Sequence, residues 1–178
     1  VKLPSKLILD YAEQLSFQEH FVPEWDKGGD QALTLPSLIL GICRVESDLD
    51  SDAVRYESEY RWFIPREELE KNQVPGSCSN ATESVLQKCS YGLMQIMGAT
   101  ARELKFSGWL TRLCDPVDGL RWGIKYLARQ HRRFYQRHGI DGVIAAYNAG
   151  SPRYKDGRLI NQSYVERVKK YGNLYVKS

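Results

Sequence analysis

The chain is poor in the residues that would build a metal site. Its four cysteines, Cys43, Cys78, Cys89 and Cys114, lack C-x-x-C spacing, and its three histidines, His20, His131 and His138, form no ligand pattern beside them. No metal is therefore expected. Long apolar runs are also missing: the stretch Leu38-Ile39-Leu40-Gly41-Ile42-Cys43 falls far short of the roughly 20 residues of a membrane-spanning helix, which predicts no membrane insertion. Charge of one sign is scarce too. Twenty-five basic against 22 acidic residues leave a formal charge of only +3, too balanced to point to nucleic acid. The densest basic stretch, Arg129, His131, Arg132, Arg133, Arg137 and His138, reads as the solvated face of a long helix. No basic stretch followed by an apolar core and a small-residue cleavage site opens the chain, so no secretory signal is read. The first residue, Val1, does not distinguish a trimmed protein from one exported by another route.

What is present suits one compact domain over 1–178: the chain is 42% hydrophobic, enough for one core and short for two. Apolar residues at helical spacing predict an opening helix over about 5–19, and Pro23 to Asp30 reads as a loop. Thr34 and Pro36 supply a cap and a first-turn signal for a helix reaching about Leu49. Between about 50 and 90 the pattern changes. Tyr56, Ser58, Tyr60, Trp62 and Ile64 alternate with charged or polar neighbours up to Pro65, which predicts an irregular or short-stranded excursion. Helical periodicity returns after Thr82 and from Thr100, and Asp115-Pro116 opens a long helix with Gly139 as its stop. A short helix from Asp141 to Ala146 and a last one from Asn161 complete a mainly α fold. Cys78 and Cys89 flank a polar segment, and a disulfide between them is one reading; buried free thiols are the other.

Glu46 carries the sharpest chemical signal. Leu35, Leu38, Ile39, Ile42 and Leu49 all fall within roughly 80° of it on the helical wheel. A carboxylate on that face is costly unless neutralised, paired or used, because desolvation disfavours its charge and raises its pKa. A carboxyl group still protonated near neutral pH is what protonation of a glycosidic oxygen needs. The bland alternative is an ion pair with Arg44 or Arg55.

Three blocks shift the weight of that choice: Arg44-Val45-Glu46-Ser47, Tyr91-Gly92-Leu93-Met94-Gln95-Ile96-Met97, and Ala145-Ala146-Tyr147-Asn148-Ala149-Gly150. In this order they closely resemble the signature blocks of soluble lytic transglycosylases, the SLT-like enzymes of glycoside hydrolase family 23 type. Ala99 to Leu104, Asp115-Pro116 with Gly123 to Leu127, and Tyr164-Val165 with Val168 and Tyr171 extend the resemblance. It spans about 35–50 and 90–175. The resemblance implies a lysozyme-like α domain with two lobes around a cleft, cutting the bond between N-acetylmuramic acid and N-acetylglucosamine in peptidoglycan. By the same resemblance, Glu46 protonates the leaving oxygen and its carboxylate then takes the proton of the muramic C6 hydroxyl. That hydroxyl attacks C1 to close a 1,6-anhydro ring, with no cofactor.

The other matched residues take roles the chemistry asks for. Tyr147 is expected to hold the Glu46 carboxyl, Gln95 to bond sugar or peptide amides, and Asn148 to fix local backbone or an acetamido group. Ser47, Met94, Tyr164 and Tyr60 are expected at the cleft as substrate-binding residues; for Met94 and Leu93, core packing is an equal reading. The chain departs from the family in two places. The segment between Glu46 and Gly92 is longer, and its Arg55-Tyr56-Glu57-Ser58-Glu59-Tyr60-Arg61-Trp62-Phe63 resembles a stretch of phage-encoded cell-wall enzymes, which makes a monomeric phage endolysin, reaching the periplasm from the host cytoplasm, the expected origin. Between Asn148 and Tyr164 a Glu-Thr element of many bacterial relatives is missing. Two alternatives stay open here. A goose-type lysozyme would use Glu57 or Glu59 to activate water, and a non-catalytic murein-binding or tail-structural domain would not need Glu46 at all.

Overall fold

The computed structural model describes residues 1–21 and 33–174; the loop read at Pro23 to Asp30 lies outside them. Helix α1 covers Ser5–Gln18 and α2 covers Leu35–Ser47, with the Thr34 side chain accepting from the Ser37 N–H at the start of α2. Pro36 stands in the first turn, and α2 ends where Asp48 turns left-handed at φ 53°. The excursion holds strand β1 (Val54–Tyr56), a 3-10 turn at Arg66–Glu68 and helix α3 (Asn80–Gln87). Strands β2 (Cys89–Tyr91) and β3 (Ile96–Met97) follow and complete a small antiparallel sheet in the order β1-β2-β3, with Arg55 opposite Ser90 and Ser90 opposite Met97.

The alternation from Tyr56 to Ile64 makes a strand only in its first residue. Beyond it the backbone of Ile64 finds no ladder partner. Its N–H and C=O are bonded instead to the side-chain amide of Gln87, at 2.8 and 3.0 Å. Helix α3 also corrects the disulfide reading. Cys78 and Cys89 are both free and buried, and they stand beyond opposite ends of α3. Eight helical residues rise about 12 Å, well past the roughly 7 Å that a disulfide bridges.

Helix α4 (Gly98–Glu103) leads through a 3-10 turn at Leu110–Cys114 into α5 (Pro116–Ala149), capped by Asp115, whose carboxylate accepts from the N–H groups of Val117 and Asp118. Gly139, non-helical at φ 59° and ψ −167°, divides α5 into two helices at the stop the sequence predicts, and the second runs past Ala146 to Ala149. A hairpin, β4 (Tyr154–Lys155) with β5 (Arg158–Leu159), precedes α6 (Gln162–Asn173).

Two apolar clusters meet at α5. The larger joins Ile8, Leu38, Ile39, Ile42, Ile124, Val143 and Val165, all fully buried. The smaller gathers Tyr91, Ile96, Phe106, Leu110 and Leu113 under the sheet and α4, and Tyr126 of α5 packs against both. This is the lysozyme-like arrangement, mainly α with a small sheet on one side. Helix α6 lies hard against α2 because two glycines allow it. A Cβ on Gly41 would meet the Val168 carbonyl oxygen at 2.4 Å, and one on Gly172 would meet that of Ser37 at 2.8 Å. No helix among the described residues is long and apolar enough to cross a membrane. Of the basic stretch on α5, Arg132, Arg133 and Arg137 are exposed; His131 is buried and stacks on Tyr135, with ring centroids 4.5 Å apart.

Candidate active site

The last turn of α2 puts Glu46 one turn beyond buried Ile42, on the wall of a groove of about 620 Å³. Arg55, Glu57, Tyr60, Gln95, Tyr126 and Tyr147 line the same groove. The carboxyl is half-buried, and the Tyr164 hydroxyl donates to its Oε1 at 2.6 Å. Burial pushes the Glu46 pKa up from the ordinary carboxylate value, while the Tyr164 hydrogen bond and the charges of Arg55 and Arg167 partly oppose the rise. Burial, followed by the nearby Glu46 charge, also pushes the phenols of Tyr147 and Tyr164 up, so both remain hydrogen-bond donors.

The three sequence blocks are bonded to one another. Ser47, next to Glu46, donates its hydroxyl to the Cys43 and Leu93 carbonyls at 3.1 and 2.9 Å. Tyr147 donates its hydroxyl to the Met94 carbonyl at 2.9 Å. The turn carrying Leu93 and Met94 therefore receives a hydroxyl from each of the other two blocks. Gly92 starts it with φ 67°, where a Cβ would lie 2.3 Å from the Leu113 carbonyl oxygen, a place only glycine fits. Gln95 closes it, left-handed itself at φ 46°. The Gln95 amide donates to the Ala53 and Gly92 carbonyls, both at 2.9 Å, and its oxygen accepts from Ser90 Oγ at 2.8 Å.

Glu46, Gln95, Tyr147, Asn148 and Tyr60 thus reach one groove. Tyr147 does not hold the Glu46 carboxyl as the sequence suggested; its hydroxyl is spent on Met94, and Tyr164, brought in by the close α2–α6 packing, makes that bond. Met94 is fully buried and packs on Gly123, so it belongs to the core, as does Leu93. Both N–H groups of the Gln95 amide are committed to backbone, leaving only spare acceptor capacity on its oxygen. Asn148 is exposed, and its oxygen accepts from the Asn161 amide at 3.1 Å; that amide also reaches the Ala145 carbonyl at 3.0 Å.

Sequence reasoning passed over Arg153 and Tyr126 at the groove and treated Arg55 only as a possible ion-pair partner. Arg55 is paired, but with Glu57 and not with Glu46. Tyr126 had a local signal, since it falls inside the matched stretch Gly123 to Leu127; its ring lies 5.0 Å from that of Tyr147. Arg153 had none. Among the described residues, no group of three or more His, Cys, Asp or Glu is placed to hold a metal ion.

Comparison with known protein families matches residues 24–169 to the model of the transglycosylase SLT domain. Neither the curated proteins nor the solved structures give a match. With that model covering most of the 178 residues and its signature blocks hydrogen-bonded together around a half-buried glutamate, the chain belongs to the SLT transglycosylase family, lytic transglycosylases that cleave glycosidic bonds in peptidoglycan.

Proposed function

We propose that Glu46 is the acid and then the base of this reaction. The observation that carries the proposal is a carboxyl whose pKa burial raises, held at 2.6 Å by the Tyr164 hydroxyl on the groove wall. Protonated Glu46 gives its proton to the glycosidic oxygen as the bond to the muramic C1 breaks. Its carboxylate next accepts the proton of the C6 hydroxyl while that oxygen bonds to C1. The proton count returns to its start, and no water is consumed. Tyr164 keeps the carboxylate oriented between the two transfers. Tyr147 fixes the Met94 carbonyl and so the turn ending in Gln95, whose oxygen, with Asn148 and Tyr60, contacts the sugars.

Digestion of murein in oxygen-18 water tests the chemistry. Muramic ends lacking one water and free of the label are the expected products. Labelled reducing ends would sink the proposal and point to Glu57 or Glu59 as a base for water.

Tyr164→Phe tests the positioning. Its hydroxyl favours the ionised carboxylate, so its loss raises the Glu46 pKa further, and the alkaline limb of the pH–rate profile moves to higher pH as kcat falls. An unmoved limb would remove Tyr164 from the mechanism.

The stretch from Arg55 to Phe63, with its resemblance to phage cell-wall enzymes, supports a finer reading. In it, residues 1–178 are one monomeric catalytic domain of a phage endolysin, bacteriolytic once released from the host cytoplasm onto the periplasmic cell wall.

A further inference from the structure

Trp62 lines the groove yet is 76% exposed, an unusual place for the largest apolar side chain. It lies in a segment without regular structure, between Tyr60, half-buried with its hydroxyl by Thr100, and Ile64. The segment is nonetheless fixed from below. Ile64 is clamped through both backbone groups by Gln87, Gln87 donates to Glu83 at 3.1 Å, and Glu83 takes two hydrogen bonds from Arg102. Gln87, Glu83 and Arg102 are all buried. A costly buried polar network thus ends two residues from an indole that stays out in solvent. Such an arrangement fixes the backbone near the ring and reduces what binding must spend on ordering the segment.

The groove itself indicates the occupant. Tyr147 of the Glu46 site touches Tyr126, and both line the same groove as Tyr60 and Trp62. Tyr147, Tyr126, Tyr60 and Trp62 thus share one groove with the acid. A glycan strand continuing past the cleaved bond would lie in that groove. An indole offers an apolar face to the C–H side of a sugar ring and one N–H to an acetamido oxygen.

We propose that Trp62, with Tyr60 beside it, forms a stacking subsite for a sugar of the strand remote from the bond cut at Glu46, through which this chain favours long strands over short fragments. The proposal rests on the reading of Glu46 as the cleavage point. Wild type and Trp62→Ala are compared on polymeric murein strands and on a murein tetrasaccharide. The long-to-short ratio of kcat/KM is expected to fall by roughly 2- to 12-fold in Trp62→Ala and to recover in part in Trp62→Phe. An unchanged ratio overturns the subsite, whereas absence of anhydro ends from wild type overturns the reading of Glu46 and leaves a different signature. Binding gives a second readout. The emission of Glu46→Gln should change on adding an N-acetylglucosamine hexamer, and Glu46→Gln/Trp62→Phe should lose that change. A response identical in the two proteins also overturns the subsite.

Discussion

Glu46→Gln is expected to lower turnover of peptidoglycan by a factor on the order of 100 to 10,000 while murein binding persists. Glutamine keeps the shape and can still accept the Tyr164 hydroxyl, but it neither gives the proton to the leaving oxygen nor takes one from the C6 hydroxyl. The same variant carries a stability signature. Because burial raises the folded-state pKa of Glu46, the stability tied to its protonated form is full below the unfolded pKa. It is lost as pH rises through the folded pKa. Above that range the ionised carboxylate is a burden on the fold, so Glu46→Gln should unfold at higher denaturant than wild type near neutral pH, with the advantage vanishing in acid. Wild-type turnover in Glu46→Gln would end the assignment. Lost turnover together with lost murein binding would show that the substitution damages the groove rather than the proton transfers.

Arg102→Met is expected to cost about 3–5 kcal/mol, because it leaves the buried Glu83 carboxylate without its partner. Arg102 is fully buried with every N–H in use: its Nε and one terminal nitrogen bond Glu83 at 2.7 and 3.0 Å, and its terminal nitrogens also reach the Gln73, Phe106 and Gly108 carbonyls, each at 2.9 Å. Three separate segments converge on one guanidinium, which no lysine could satisfy. For a chain of this size the loss corresponds to a fall in Tm of roughly 6–20 °C. Urea unfolding of Arg102→Met, Glu83→Leu and the double variant measures it. The double variant should lose much less than the sum of the two, since removing both charges leaves neither stranded. A single-variant cost below about 1 kcal/mol would mean that the pair is not the anchor of the excursion.

How far the site could be read depends on how local each cause is. Glu46 was legible because its burial follows from helical spacing: Leu38, Ile39 and Ile42 face the core, and the same face one turn later is Glu46. The starts of α2 and α5 were legible for the same reason, since Thr34 and Asp115 bond N–H groups two or three residues away. The excursion was legible in outline, as an irregular segment with a short strand, but not in what fixes it: Gln87, 23 residues on, takes the backbone of Ile64. The disulfide reading failed similarly, because the short polar segment between Cys78 and Cys89 coils into α3 and separates the two thiols.

The choice of tyrosine beside Glu46 shows the division most clearly. Motif order put Tyr147 in the right groove, and there its ring lies against Tyr126 while its hydroxyl goes to Met94. Tyr164, 118 residues from Glu46 along the chain, makes the bond to the carboxyl. It does so because Gly41 and Gly172 let α6 press against α2. The sequence by itself determined the helical elements, the apolar side of α2 and the place of Glu46 on it, all consequences of spacing within a few residues. Only the tertiary structure decided which hydroxyl bonds the Glu46 carboxyl, which carbonyls Gln95 and Tyr147 serve and what clamps the backbone near Trp62. Those pairings join residues distant in the chain, and they are set by how closely two backbones approach, which side-chain spacing along one helix does not encode.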